Sequence, residues 1–300
     1  MRMLRTLVRK VGARVRIHQA RVAVTKGAKK SLPKTSPSGY LVANEPDLVP
    51  SAESMAREGV TTLEEWFRWA EEWAMILKVF GGMKKTSRVL EVGCGLGRIA
   101  YPLRYQLLSG TYDGFDICSF KIDFLRTQFQ SRYPNFRFVH ADVHNTDYNP
   151  EGRLRASDFR FPYPDITFDV VYAASVFTHL VPESARNYLH EIGRVLHPQG
   201  CAVISIFLLD FFDPHRSRPL GCAKRRFNFY HYPDPSYPDS FAVSNPGNLE
   251  AVTAYRANVL LKFATDAGLQ LVQPPLPGMW SGGTDSFITA QELMVFRRHA

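Results

Sequence analysis

The sequence predicts an α/β fold in which a mostly parallel, seven-stranded sheet carries helices on both faces. Short apolar runs, typical of buried strands, alternate with helical patterns from about residue 60 to the C-terminus. The first of these runs leads directly into three glycines. A later run, Cys201–Leu209, is continuously apolar, as expected for a central parallel strand that is covered on both faces.

The first predicted strand, Val89–Val92, is followed by Gly93, Gly95 and Gly97 and then by apolar residues at helical spacing. Glycine has no Cβ, so the backbone of such a turn can approach a ligand closely. The helix that follows would direct its free N–H groups at the same ligand. The segment therefore predicts a binding site for a nucleotide-like molecule, whereas a purely structural turn is the alternative.

The spacing of the glycines separates the candidate ligands. The dinucleotide fingerprint G-x-G-x-x-G requires a glycine at the position that Arg98 occupies. The spacing here is G-x-G-x-G, with Glu91 two residues before the first glycine. This pattern resembles the first motif of class I S-adenosylmethionine (SAM) methyltransferases. The resemblance implies that Glu91 and the three glycines bind SAM as the cofactor.

Acids follow the next two predicted strands, in the places where the family has them. Asp116 ends the second strand, and the resemblance implies that it accepts hydrogen bonds from both ribose hydroxyls, with Ile117 as a neighbouring cofactor contact. A carboxylate suits this task because it only accepts hydrogen bonds. After the third strand, Asp142 is expected to face the adenine amino group and Val143 to lie beside the ring. A solvated acid at the strand end is the alternative for Asp116.

The other predicted elements complete a Rossmann-like methyltransferase fold. Ser175, in the turn after the fourth strand, is a further predicted cofactor contact, and the last strand is expected to be antiparallel, which distinguishes this fold from dinucleotide folds. A narrower resemblance is to bacterial methyltransferases that accompany cell-surface polysaccharide synthesis. The predicted strands after the first are 112–117, 136–141, 168–174, 201–209, 269–272 and 286–296, and the main predicted helices are 62–80, 188–196 and 251–267.

Composition and charge limit the function classes. The net charge of +9 comes from residues 1–40, which hold eleven of the 37 Lys and Arg residues and no acid. The rest of the chain has 26 basic and 28 acidic residues, so nucleic acid is an unexpected partner for the folded domain. Four cysteines without a C-x-x-C pair favour a reduced, cytoplasmic protein. No cluster of residues indicates a metal site.

The basic N-terminal segment predicts an arm rather than part of the domain. Residues 1–24 place apolar residues on one helical face and arginines on the other, which suits peripheral contact with an anionic surface at the inner membrane face. A solvated, disordered arm is the alternative. A proline- and serine-containing linker follows. We therefore expect an arm and linker over residues 1–50 and one methyltransferase domain over residues 51–300.

Two long connections are predicted to hold the acceptor, because loops at the carboxyl ends of strands supply specificity in open α/β sheets. The first covers residues 144–165. The second, about 210–248, is rich in aromatic residues and is interpreted as a cap insertion over the acceptor, or else as a small satellite core. Trp280, between the last two predicted strands, is expected to wall the acceptor pocket.

A base would help to methylate a weakly acidic hydroxyl. His179 is the first candidate, because it follows the fourth strand and its ordinary pKa suits neutral pH. Asp210 and His231 are the competitors, and a packing role is the alternative for His179. The resulting hypothesis is SAM-dependent O-methylation of a small hydroxylated or glycan-type acceptor. The alternatives are an RNA or protein methyltransferase that uses the basic arm, and a non-catalytic SAM-binding module.

Overall fold

A computed structural model describes residues 45–218, 228–231, 237 and 239–298. Its centre is a seven-stranded sheet in the order β3-β2-β1-β4-β5-β10-β9, and a three-stranded sheet, β6-β7-β8, lies beside it. The strands are β1 (Arg88–Val92), β2 (Thr111–Asp116), β3 (Phe136–His140), β4 (Phe168–Ala173), β5 (Leu196–Ile206), β6 (Tyr230–His231), β7 (Phe241–Val243), β8 (Thr253–Tyr255), β9 (Leu269–Leu271) and β10 (Glu292–Arg298).

Helices cover both faces of the large sheet. They are α1 (Ala52–Arg57), α2 (Leu63–Val79), α3 (Ala100–Leu103), α4 (Ser119–Leu125, continued by a π-helical turn, Arg126–Gln130), α5 (Pro182–Val195) and α6 (Ala257–Asp266), with 3₁₀ turns at Pro46–Leu48 and Phe177–His179. The predicted start of α2 is confirmed: the Thr62 hydroxyl accepts a hydrogen bond from the Glu65 N–H at 3.1 Å. The Glu65 carboxylate in turn accepts one from the Thr61 N–H. Both contacts satisfy donors at the helix entrance.

The sheet topology confirms the predicted fold class. Strands β1 to β5 are parallel, whereas β10 runs antiparallel to both β5 and β9. One apolar cluster lies on each face of the sheet, and the second half of β5, residues 200–206, is buried throughout. Since parallel strands end at the same edge, the glycine turn after β1 lies beside Asp116 at the end of β2 and Ser175 just after β4. This edge positions the candidate site.

The predicted helix 251–267 is wrong in its first third. Thr253–Tyr255 form β8, which pairs with β7, and all three residues are buried. The Thr253 hydroxyl donates to the Phe177 carbonyl, an interaction that a helix would not offer at this point. The helix starts only at Ala257, whose N–H donates to the Asp210 carboxylate at 2.7 Å. Asp210, a competitor for the base, therefore stabilises a helix N-terminus.

Two other predicted elements are shorter than expected. The helix after the glycine turn ends at Leu103 after a single turn. The last strand begins at Glu292 rather than at residue 286, because the preceding residues pair elsewhere. The Thr289 and Ala290 carbonyls accept hydrogen bonds from the N–H groups of Met279 and Trp280.

Trp280 does not wall the acceptor pocket, contrary to expectation. It is 1% exposed and packs among Phe207, Phe212 and Phe229, with ring centroids 4.5 to 5.5 Å from its own. Its indole N–H donates to Glu292, a fully buried carboxylate that also accepts from the N–H groups of Leu208 and Gly278. An indole whose donor has such a buried partner is fixed in the core.

Glu292 predicts a specific pH dependence of stability. Burial raises its pKa from 4.5 to about 7, although its three donors act in the opposite direction. The folded chain therefore holds a proton that the unfolded chain has lost between about pH 4.5 and 7, and this group's contribution to stability decreases as the pH rises through that window. In Glu292→Gln this decrease should disappear, and one donor should lose its acceptor at a cost of about 1–3 kcal/mol.

Urea unfolding at pH 5 and pH 8 measures this effect. The free energy of unfolding should fall more steeply between the two values in the wild type than in Glu292→Gln. Equal slopes for the two proteins would contradict the assignment of the buried proton to Glu292.

Among the helices of the described ranges, none is long and apolar enough to cross a membrane. The predicted arm, residues 1–24, and most of its linker lie outside the described residues, so their interpretation stays a prediction, as do the predicted domain boundaries.

Candidate active site

Two adjoining cavities lie at the carboxyl edge of the parallel strands. The first, of about 280 Å³, surrounds the glycine turn and the end of β2, and the second, of about 230 Å³, extends toward α2 and the start of β10. Five residues line both: Glu58, Trp69, Arg98, Ser175 and His179. A ligand in one cavity therefore lies next to a ligand in the other, which is the arrangement that a transfer reaction requires.

The glycine turn contributes space rather than hydrogen-bond donors. The N–H groups of Gly93 and Cys94 donate to the Phe115 carbonyl, and that of Gly95 donates to Asp116. These three N–H groups therefore hold the turn against the end of β2, and the predicted role of the following helix N-terminus stays a prediction. All three glycines have positive φ, and a Cβ on Gly93 would come within 2.5 Å of the Val176 side chain. Only glycine suits this backbone.

Asp116 is held rigidly in the wall of the first cavity. One carboxylate oxygen accepts from the Gly95 N–H at 2.8 Å and the other from the Cys118 N–H at 2.9 Å. A carboxylate oxygen can accept more than one hydrogen bond, so both oxygens keep capacity for a ligand. The residue is 7% exposed, so its rotamer is fixed before a ligand arrives.

Glu91 forms the floor of the first cavity. It lies opposite Gly114 of β2 and Tyr172 of β4, and its carboxylate accepts hydrogen bonds from the Tyr112 and Tyr172 hydroxyls. Burial raises its pKa to about 8, although the two tyrosines lower it. At neutral pH Glu91 is therefore mainly protonated, and a cationic ligand beside it would favour the ionised form.

Arg98 is the least satisfied polar group of the site. Its Nε and Nη1 atoms are buried without a hydrogen-bond partner in the described structure, and its guanidinium lies 4.9 Å from the centroid of the Trp69 ring. A buried guanidinium without an acceptor is costly, so an anionic ligand group would stabilise it. Glu58 lies nearby and has a cation partner, because Lys121 Nζ is 3.0 Å from its Oε1.

The residues of the first cavity fit SAM. Asp116 would hold the ribose hydroxyls, and Arg98 would hold the carboxylate at the methionyl end. Glu58 would hold the ammonium of that end: a Cβ on Gly95 would be 2.8 Å from Glu58 Oε1, so this carboxylate lies directly over the turn. Ile117 and Val143 supply apolar lining. The orphaned guanidinium of Arg98 is the observation that carries this fit.

Two predicted cofactor residues do not line the first cavity. A Cβ on Gly97 would come within 2.5 Å of Leu125, so this glycine permits close packing of α4. The Asp142 carboxylate pairs with Arg153. The proposed adenine contact of Asp142 stays a prediction.

Ser175 lies at the boundary of the two cavities in an uncommon conformation. Its φ of 58° is in the left-handed region, which costs a residue with a Cβ about 1 kcal/mol. Its N–H donates to the Ser205 hydroxyl at 2.8 Å, and its own hydroxyl donates to Gln291 at 3.2 Å. Strain of this kind, held in place by hydrogen bonds, is typical of functional sites.

His179, the predicted base, is held in place by the backbone that follows the second long loop. Its Nδ1 is 3.0 Å from the Glu250 carbonyl oxygen, which only accepts hydrogen bonds, so in the neutral ring Nδ1 carries the proton and Nε2 holds the lone pair. Burial lowers the pKa of His179 below its ordinary 6.5, and hydrogen bonds to the backbone of Glu250 and Ala251 act in the opposite direction. The Tyr148 ring packs edge-on against it at 5.3 Å.

The two long loops are positioned differently. Residues of the first, including Asn145 and Tyr148, line the first cavity. The second lies partly outside the described residues, and its cap function therefore stays a prediction. His231, in β6 of that insertion, also stays a candidate base by prediction only.

Sequence reasoning missed three residues of the cavities. Arg98 entered only as the residue that excludes a dinucleotide site, although an arginine that ends a glycine turn was itself a signal. Glu58 precedes every recognised motif. Glu72 lies within the predicted helix 62–80, among apolar and aromatic residues that are typical of a core, yet it lines the second cavity.

Comparisons with known proteins agree with this geometry. Residues 89–200 match the family model described as a methyltransferase domain. A tRNA N(3)-cytidine methyltransferase from Danio rerio is 29% identical over 130 residues, 42% of this chain and 33% of that protein. A fatty-acid O-methyltransferase from Mycolicibacterium smegmatis is 34% identical over 114 residues, 38% of this chain and 35% of that protein. The chain thus matches only about a third of the length of these relatives.

A solved structure from Pyrococcus horikoshii shares the fold. Its TM-score is 0.51 at 19% sequence identity, over 79% of this chain and 92% of that one. The family match begins at β1 and ends within β5, so it contains the glycine turn and Asp116. Residues 89–200 accordingly match a methyltransferase domain, a family whose methyl donor is SAM, and the sheet around them has the Rossmann-like fold that the sequence predicts.

Proposed function

We propose that the protein transfers a methyl group from SAM to a hydroxyl of a small hydroxylated or glycan-type acceptor bound in the second cavity. The observation that carries this proposal is the position of His179, which lines both cavities with Nδ1 held by the Glu250 carbonyl. When bound, SAM supplies an electrophilic methyl group.

The chain's own residues would orient the acceptor and accept its proton. His179 Nε2 takes the proton of the acceptor hydroxyl as the oxygen becomes nucleophilic. Since the ring is buried and neutral, it needs no prior deprotonation at pH 7. The fatty-acid O-methyltransferase among the relatives supports transfer to oxygen. Association with cell-surface polysaccharide synthesis, and contact of residues 1–24 with the inner membrane face, are part of the same proposal.

Transfer to RNA is the second candidate function. It is favoured by the similarity to a tRNA cytidine methyltransferase and by the eleven basic residues within residues 1–40. The balanced charge of the rest of the chain argues against it, because RNA-binding domains usually present a basic face.

Labelled SAM separates these readings. The full chain and a variant lacking residues 1–40 are incubated with methyl-labelled SAM and cell extract, and the products are analysed by mass spectrometry. We expect label in a small product that resists ribonuclease and protease, and we expect this labelling to survive the deletion. Label in RNA that disappears on deletion would favour the RNA function. SAM binding without any labelled product would indicate a non-catalytic module.

A further inference from the structure

The second cavity contains a carboxylate for which the proposed reaction has no use. Glu72 lines this cavity together with Trp69 and Trp73 of the same helix, α2. Trp69 is a neighbour of both on the helix surface, because Glu72 follows it by three residues and Trp73 by four. The Thr289 hydroxyl donates to the Glu72 carboxylate. Among the described residues, no Lys, Arg or His nitrogen lies within ion-pair distance of it.

The electrostatic surroundings of Glu72 leave its charge uncompensated. Burial raises its pKa, and the Thr289 hydroxyl and the more distant charges of Arg68 and Arg98 act in the opposite direction. Neither of the other two charged residues that line this cavity, Glu58 and Arg98, supplies Glu72 with a counter-charge at ion-pair distance. Glu58 pairs with Lys121, and Arg98 is the residue that fits the carboxylate of the methyl donor.

The aromatic side chains in the wall of the second cavity are also suited to bind a cation, as is the Glu72 carboxylate. Trp73 is 7% exposed and stacks on Tyr172 with ring centroids 5.9 Å apart, so its orientation is fixed. Trp69 already receives the Arg98 guanidinium against its ring. Indole faces attract cations through their quadrupole, most strongly where water is excluded. A carboxylate with two adjacent indoles is therefore complementary to an ammonium group.

We propose that the acceptor carries a cationic nitrogen, which binds Glu72 beside Trp69 and Trp73, while its hydroxyl lies at His179. The acceptor class is thus a hydroxylated amine. This inference rests on the proposed function for the identity of the second cavity, but the cation site is testable without turnover. Donor binding should strengthen cation binding, because it neutralises Arg98 in the shared wall.

Nuclear magnetic resonance of the indole N–H groups tests the cation site with n-butylammonium and the neutral n-butanol as probes. The protein is ¹⁵N-labelled and titrated with and without S-adenosylhomocysteine. The Trp69 and Trp73 resonances are assigned with Trp→Phe variants, whereas Trp66 and Trp280, which line neither cavity, serve as internal references. We expect the ammonium probe to shift the Trp69 and Trp73 signals and to bind at least tenfold more tightly than butanol.

Two matched variants separate recognition of the charge from structural effects. Glu72→Gln keeps an acceptor for Thr289 but removes the charge, and the tenfold preference should disappear. Glu71→Gln makes the same change on an exposed neighbour that lines neither cavity, and the preference should remain. Equal affinity for the two probes in the wild type, or an unchanged preference in Glu72→Gln, would overturn the proposal. Failure of S-adenosylhomocysteine to bind would instead contradict the proposed function, and the titration without it would still decide the cation site.

Discussion

Replacing Asp116 by alanine is expected to raise the dissociation constant of SAM roughly 100-fold or more. Charge-assisted hydrogen bonds contribute about 1.5–3 kcal/mol each, and every 1.4 kcal/mol is a factor of ten in affinity. The loss of two ribose contacts therefore accounts for this change. Alanine also removes the acceptor of the Gly95 and Cys118 N–H groups, which shape the turn. Isothermal titration calorimetry with SAM measures the effect.

Two further variants are matched to this measurement. Asp116→Asn keeps one acceptor oxygen and should lose less affinity than the alanine variant. Asp123→Ala makes the same substitution on the exposed surface of α4 and should bind SAM like the wild type. Unchanged SAM affinity in a folded Asp116→Ala protein would remove the cofactor assignment of this residue.

For His179→Ala we expect kcat to fall by about 10²–10⁴-fold while the affinity for SAM is preserved, since general base catalysis contributes about that much. The measurement requires the acceptor found by the labelling experiment. The pH profile provides a second readout. Since burial lowers the pKa of His179, wild-type kcat should rise with pH through a value below 6.5 and then level off, and the variant should lose this limb.

A structural role for His179 gives a different result. The ring donates to the Glu250 carbonyl, so its removal can lower the melting temperature. If that were its only role, turnover below the melting temperature would stay at the wild-type level and the pH limb would persist. His190→Ala, at an exposed position on α5, is the matched control and should change neither property.

The succession of strands along the chain was predictable because each strand has a local sequence pattern. Apolar runs, the glycine turn and the strand-end acids each lie within a few residues of sequence, and together they implied the sheet that the structure shows. The apolar run that contains the second half of β5 was recognisable for the same reason. Elements whose conformation depends on distant partners were not predictable. Thr253–Tyr255 looks helical until β7 is placed beside it.

The same distinction explains what was missed at the site. The residues predicted to bind the methyl donor follow a motif, whereas the second cavity is assembled from segments far apart in the chain. Glu72 and Thr289 are separated by 217 positions, yet their side chains are hydrogen-bonded. Trp280 is the opposite case. Its place between the last two strands predicts a residue of the acceptor pocket, but its indole N–H donates to the buried Glu292. No short sequence pattern around these residues indicates either of the two hydrogen bonds.

Glu250, which lies just after the second long loop, connects that loop to the first one and to His179. Its carboxylate accepts hydrogen bonds from the N–H and hydroxyl of Thr146 in the first loop, and its carbonyl fixes His179. Asn248 adds a hydrogen bond to Asp147 across the same junction. Local opening of either loop would release the other and the imidazole together, as in a small cooperative unit of the native state. Changes that adapt one loop to a new acceptor would thus also alter the proton affinity and the aim of the base.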